Sequence, residues 1–255
     1  VLIPTKKRMT ACVSVQVGCS LDCAFCATGR LKRIRNLNAD EIYDQVVMIN
    51  DQAKKEYKLP ISNIVYMGMG EPLLNYRNVL ESVERITSEK GLGMSPKRIT
   101  ISTAGIHKKI IRLADDGVKF NLALSLHAAN DEKRNKIMPI NESNSLEALK
   151  DAMIYFSKKT ETRPTLEYII FKDFNDEISD AEELVQFVKS FPSKVNIIEY
   201  NSIDDGKYQQ ADPIKVDAFA DYLESKNVIV NIRRSRGKDI DAACGQLANK
   251  NELAN

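Results

Sequence analysis

The sequence predicts an α/β fold, a partial and open (β/α)6 barrel with an additional C-terminal strand, and assigns residues 1–255 to that one domain. Three observations carry this. Strand-like and longer helix-like segments alternate along the chain, the signature of βα units around a parallel sheet. Within the strands, apolar residues alternate with small or polar ones: Val13, Val15 and Val17 oppose Cys12, Ser14 and Gln16, and Leu122, Leu124 and Leu126 oppose Asn121, Ala123, Ser125 and His127. A parallel sheet buried on both faces reads instead as continuous apolar runs, so this pattern predicts helices outside and a polar cavity inside. Finally, 255 residues with 43% hydrophobic content suit one α/β barrel.

The strands fall at Cys12 to Val17, Ile61 to Met67, Arg98 to Thr103, Phe120 to Leu126, Thr165 to Phe171, Val195 to Tyr200 and Val228 to Arg233. Helices long enough for right-handed crossovers open at Ala39 or Asp40, Tyr76, Ile106 or His107, Ser145, Asp176 and Pro213. Asn38 and Ser145 read as N-caps because their side-chain oxygens can take the free amides of a first turn. No low-complexity linker and no long-period repeat interrupts the series. His107, at a helix start, reads as structural.

No apolar run reaches the roughly 18 residues a membrane helix needs. Five cysteines, clustered in sequence, do not suit a secreted disulfide scaffold and fit a reducing cytoplasm. The chain opens at Val1 without a secretory signal and reads as N-terminally shortened. Its formal charge of +2 does not by itself announce a nucleic-acid binder. Basic residues nonetheless gather at Lys6 to Arg8, Lys32 to Arg35, Lys97-Arg98, Lys108-Lys109 with Arg112, and Arg233 to Lys238. Each taken alone is a solvated face; those flanking the cysteines suggest a polyanionic substrate.

Cys19, Cys23 and Cys26 stand at CxxxCxxC spacing in one short loop after the first strand. A cubane 4Fe-4S cluster usually takes four thiolates, so three leave one iron open to a small molecule. A structural zinc site is the alternative, but such sites are closed by four ligands, commonly as paired knuckles, and no second pair is present. In α/β barrels the working residues come from the C-terminal ends of the strands, and several further features share that rim: Gly68-Met69-Gly70-Glu71-Pro72 after the second strand, Ser102, Ser125-Leu126-His127 and Asn201. Alone, the glycine run is an ordinary turn; beside a cluster loop, Gly70 permits close backbone approach and Glu71 can accept from a ligand ammonium. His127 is either a satisfied buried residue or a cavity group, and its strand register with Ser125 and Cys12 favours the cavity. Cys244, flanked by Ala243 and Gly245 in a polar segment, reads as an exposed loop thiol.

The stretches CVSVQVGCSLDCAFC, MGMGEPLLN, SLHAANDEKR, KVNIIEYN and GKDIDAACGQLA together resemble the RlmN-type dual-specificity rRNA and tRNA adenine methyltransferases, with the Cfr-type enzymes as a close branch. The resemblance runs from about Met9 to Ala248. It implies a TIM-like radical S-adenosylmethionine (SAM) barrel that methylates adenine carbon 2 in 23S rRNA and in tRNA, with a 4Fe-4S cluster on Cys19, Cys23 and Cys26. Gly70, Glu71, Ser102, Ser125, Leu126, His127 and Asn201 correspond to SAM contacts. Cys244 corresponds to the cysteine that carries the methyl group, and Cys12 to the one that then forms a transient disulfide with it. The family's helical RNA-binding domain and a glutamate base precede the barrel and lie outside this chain. The resemblance further implies a cytoplasmic monomer and an electron donor such as a flavodoxin or ferredoxin system. The EPLLN stretch favours carbon 2 over the carbon 8 chemistry of the Cfr type. A non-catalytic metal-containing RNA-binding protein is the alternative from another class, and it leaves the DAACGQ segment without a role.

Overall fold

The computed structural model describes residues 1–6, 8–203, 206–233 and 244–247. In chain order its elements are β1 (Leu2–Pro4), β2 (Met9–Cys12), β3 (Gln16–Val17), β4 (Arg35–Asn36), α1 (Ala39–Tyr57), β5 (Asn63–Tyr66), α2 (Tyr76–Thr87), β6 (Ile99–Thr103), α3 (His107–Asp115), β7 (Asn121–Ser125), α4 (Asp131–Ile137), α5 (Leu146–Thr160), β8 (Thr165–Ile170), α6 (Ile178–Val188), β9 (Lys194–Glu199), α7 (Pro213–Ser225) and β10 (Val230–Arg233). Eight strands form one curled sheet in the order β1-β2-β5-β6-β7-β8-β9-β10. From β2 onward every neighbouring pair is parallel and in chain order, whereas β1 runs antiparallel to β2 with Leu2 opposite Ala11. This is the partial barrel that the sequence predicts. None of the described helices is long and apolar enough to cross a membrane.

Strand alternation distributes side chains between two cores. In β8, Leu166, Tyr168 and Ile170 join the main cluster with residues of the helices, whereas Ile169 and the following Phe171 join a second cluster on the concave side. Likewise in β9, Val195 and Ile197 face the helices and Ile198 the second cluster. The inner face is therefore more apolar than the sequence pattern implies. Its polar positions lie toward β5 to β7, while β8 and β9 supply isoleucines.

Helix ends follow the capping chemistry. Asn38 Oδ1 accepts the Glu41 amide at 2.8 Å and Glu41 returns the bond to the Asn38 amide at 2.9 Å, a reciprocal box that fixes the start of α1. Ser145 caps α5 by accepting from the Ala148 amide. The helix expected from Asp176 begins at Ile178, with Glu177 at its cap position.

Several elements depart from expectation. The first strand of the sheet ends at Cys12, and the apolar alternation beyond it belongs to a connecting segment that bonds to Val65 and Met69 carbonyls before Gln16 and Val17 pair with Asn36 and Arg35. Val13 and Val15 still alternate because that side still packs on the helices. Strand β1 and helix α4 are both additional to the sequence reading; α4 is short and its charged DEKRNK run resembles a solvated loop. The closing strand begins at Val230 and not Val228.

Candidate active site

A cavity of about 920 Å³, open to solvent, lies at the C-terminal rim of the sheet. Its wall includes Cys19, Cys23 and Cys26, then Gly70, Glu71, Ser102, Ser125, His127 and Cys244. The rim convergence expected from strand ends is thus realised for most of the sequence-derived residues.

The cysteine loop is shaped by its backbone. Gly18 has φ +74°, and a Cβ there would collide with the Lys32 carbonyl oxygen. The loop is then fixed by Cys19 N–H to Leu31 O (3.1 Å), Cys26 N–H to Cys23 O (3.1 Å) and Ala24 N–H to Ile137 O at the end of α4 (3.0 Å). All three sulfurs pack against the second apolar cluster of Leu21, Phe25, Met138 and Ile169. Burial pushes the Cys23 thiol well up, and the neighbouring Cys26 and Cys19 push it further. Three thiolates in such a place need a cationic centre to coexist. A single zinc ion binds sulfur at about 2.3 Å and so draws its ligands tightly together, but among the described residues no three His, Cys, Asp or Glu side chains are arranged to hold one ion. The donor set, all thiolate and lining one cavity, fits a cluster of several irons better than zinc.

Across the cavity, Glu71 is buried. Its Oε1 accepts from Thr103 Oγ1 (2.7 Å) and the Leu73 amide (2.9 Å), and its Oε2 from the Ala104 amide (2.8 Å). Desolvation outweighs these donors and raises the carboxyl pKa. Gly70, at φ +95°, brings the backbone against Gln16, where a Cβ would sit 2.5 Å from the Gln16 Cβ. Gln16 Oε1 in turn accepts the Glu71 amide at 3.0 Å. Ser102 and Ser125, on adjacent strands β6 and β7, place their hydroxyls 3.3 Å apart.

His127 reaches the cavity by a different route from strand alternation. Strand β7 ends at Ser125, and His127 takes a left-handed backbone at φ +57°. Its Nδ1 accepts the Ile169 amide at 3.1 Å, its ring meets Phe25 edge-on at 4.8 Å, and burial followed by the Arg134 charge lowers its pKa to about 3. It is a neutral imidazole. Leu126 is not brought to the cavity: its side chain belongs to the main core, its amide donates to Glu167 O, and its carbonyl accepts from Arg134.

The segment 244–247 lies over the mouth of the site. Ala27 N–H donates to Gly245 O at 2.7 Å, Thr28 Oγ1 to Leu247 O, and Asn201 Nδ2 to Cys244 O at 3.2 Å. Among the described residues Asn201 Oδ1 is buried with no partner, an acceptor that a bound donor could use. Cys244 keeps solvent contact, as the sequence suggests, yet the protein around its sulfur raises the thiol pKa. Cys12 is buried and oriented inward at the end of β2, and burial followed by the nearby Cys244 pushes it up to about 12. The disulfide implied for these two is absent: all five cysteines are free.

Sequence reasoning missed Glu167 and misplaced Arg233. Arg233 Nη1 pairs with the buried Glu167 Oε2 at 3.2 Å, both residues line the cavity, and both charges act on Cys244. Arg233 is therefore not part of a solvated basic face. Its sequence neighbours 234–238 lie outside the described residues. Arg35, from another basic run, is taken up by a bidentate pair with Glu41 at 2.7 and 2.8 Å.

An open parallel barrel with a three-cysteine loop and a polar rim above it defines a radical SAM enzyme, and the family model for the Radical SAM superfamily matches residues 13–188. The chain is 62% identical over 250 residues to the probable dual-specificity RNA methyltransferase RlmN of Christiangramia forsetii, covering 98% of this chain and 71% of that protein. It is 58% identical to the same-named protein of Flavobacterium psychrophilum, covering 98% and 72%. A crystal structure of a radical SAM methyltransferase from Sphaerobacter thermophilus superposes with a TM-score of 0.93 at 37% identity, over 96% of this chain and 72% of that one. The chain belongs to the RlmN family of radical SAM RNA methyltransferases.

Proposed function

We propose that this enzyme methylates carbon 2 of a specific adenine in 23S rRNA and in tRNA, and that residues 1–255 constitute its barrel domain. In this reading Cys19, Cys23 and Cys26 hold a 4Fe-4S cluster, and Gly70, Glu71, Ser102, Ser125, His127 and Asn201 hold SAM. Leu126 contributes only through its backbone. An external donor of the flavodoxin or ferredoxin class supplies electrons. When bound, the cluster and SAM supply an electrophilic methyl group and a one-electron route to hydrogen abstraction, which carbon 2, a poor nucleophile, requires.

The observation that carries the reading is the position of Cys244 on the wall of the cavity shared by the three clustered cysteines. Cys244 would give up its thiol proton as its sulfur takes the methyl group; that methyl would lose one hydrogen atom through the route SAM supplies, and its carbon would bond to adenine carbon 2 as one electron passes back to the cluster, leaving RNA joined to the protein through a thioether. Cys12, as thiolate, attacks the Cys244 sulfur; an S–S bond forms as the S–C bond breaks, the adenine ring gives up its carbon 2 proton, and the released carbon takes up a proton to become the methyl group. Charge proximity between Cys12 and Cys244 supports this pairing. Burial keeps Cys12 protonated at rest, which protects it from oxidation and early attack, since the thiolate is the nucleophile. Arg233, whose charge favours the thiolate form of both sulfurs, lowers the cost of ionising each in turn. The apolar wall of Leu21, Phe25 and Ile169 excludes water from the reacting atoms.

Mass spectrometry of 23S rRNA and tRNA nucleosides, after incubation with reductively activated enzyme and methyl-labelled SAM, tests this. Labelled 2-methyladenosine is expected in both. Label at carbon 8, or none in either RNA, contradicts the reading.

A further inference from the structure

Arg134 on α4 is wholly buried, yet its guanidinium donates only to neutral oxygens. Nε bonds Leu126 O at 3.0 Å, Nη1 bonds Asn141 Oδ1 at 2.6 Å, and Nη2 bonds Ala104 O at 2.6 Å and Ser125 O at 3.2 Å. Among the described residues no carboxylate forms an ion pair with it. The acid whose charge reaches it, Asp131, is exposed and connects only through Asn141, whose Nδ2 donates to Asp131 Oδ1 at 2.7 Å. A buried charge without a countercharge is costly, and four hydrogen bonds hold this one in a single orientation.

Its surroundings point to the missing anion. The last residue of α4, Ile137, receives the Ala24 amide of the cysteine loop, and Ile137 and Met138 share one apolar cluster with Cys19, Cys23 and Cys26. The electrostatic partner that most favours the Arg134 charge is Cys23, ahead of Asp131. We propose that Arg134 is a built-in countercharge for the cluster carried by Cys19, Cys23 and Cys26, and that it holds the reduction potential of that cluster up. A thiolate-ligated cluster gains one more negative charge on reduction, and a fixed cation in a low-dielectric interior stabilises the reduced form more than the oxidised one. Guanidinium suits the place because it stays protonated where an ammonium readily loses its proton.

The inference rests on the cluster assignment made above, so the test separates the two. Anaerobically reconstituted full chain is poised against mediators without SAM or RNA, and the reduced cluster is followed by electron paramagnetic resonance. Arg134→Gln removes the charge and keeps an amide donor; its cluster is expected to be at least tenfold harder to reduce, 59 mV for a one-electron couple. Asp131→Asn leaves Arg134 in place and removes the opposing acid, so its cluster should be two- to threefold easier to reduce. If Arg134→Gln does not assemble a cluster, the Asp131→Asn shift decides alone. Potentials within twofold of the native protein in Arg134→Gln, or an unchanged or downward shift in Asp131→Asn, overturn the inference. Failure of the native chain to take up about four irons overturns the cluster assignment itself, and the inference with it.

Discussion

His127 stays neutral because its ring is enclosed by Phe25 and Ile169 and because the Arg134 charge lies nearby. Its folded pKa near 3 lies below the ordinary value of 6.5. Between those values the unfolded chain binds a proton that the folded chain refuses, so stability rises with pH through that window and falls on acidification below 6.5. The loss should approach about 1.4 kcal/mol per pH unit. Asn tolerates the left-handed backbone and keeps an acceptor for the Ile169 amide, so His127→Asn should flatten the pH dependence of urea unfolding between pH 6.5 and 4; equal slopes in the two proteins would contradict the account. At this scale the sequence is legible where spacing brings side chains together, as it places Cys19, Cys23 and Cys26 on one cavity wall. It is not legible where a charged residue is buried by context. Glu167 leaves a faint trace, a lone acid sharing a strand face with Thr165 and Ile169. Arg134 leaves less: in DEKRNK only its three-residue offset from Ile137, which puts both on the buried face of α4, sets it apart from a solvated cation.

At the scale of elements, the segment carrying Cys244 depends on three anchors from elsewhere in the chain: the Ala27 amide, the Thr28 hydroxyl and the Asn201 amide. Two of these follow Cys26 directly, so the three-cysteine loop also positions the Cys244 thiol. Asn201→Ala together with Thr28→Val removes two side-chain anchors and leaves Cys19, Cys23 and Cys26 untouched. Alkylation of Cys244 by iodoacetamide should then rise several-fold while iron content stays unchanged; equal alkylation rates would mean that the anchors do not restrain the segment. A second prediction concerns α1. Asn38→Ala removes one half of its reciprocal capping box and should cost about 1 kcal/mol, read as a lower urea midpoint with an unchanged slope. These helix starts are legible because a cap is local chemistry. The end of β2 is not, because Val13 and Val15 keep the same buried side after the chain has left the sheet. Alternation reports burial, and burial outlasts strand pairing here.

For the whole molecule, the sequential strand order β2-β5-β6-β7-β8-β9-β10 was readable because each βα unit is local and successive units stack in chain order. The antiparallel edge strand β1 was not, since Leu2 to Pro4 is too short to show a period and its pairing partner is set by tertiary contact. What the fold achieves is convergence: residues from the chain's first tenth and its last lie at one rim, with buried Cys12 within electrostatic reach of Cys244. In the proposed mechanism these two sulfurs act in order, Cys244 as carrier and Cys12 as the group that releases the product. The most direct measurement is denaturing electrophoresis and mass spectrometry of reaction mixtures containing labelled RNA, SAM and reductant, run with Cys12→Ala and with Cys244→Ala. A covalent protein-RNA adduct through Cys244 is expected to accumulate in Cys12→Ala, and neither adduct nor methyl transfer is expected in Cys244→Ala. Activity lost equally in both variants, with no adduct in Cys12→Ala, would contradict it.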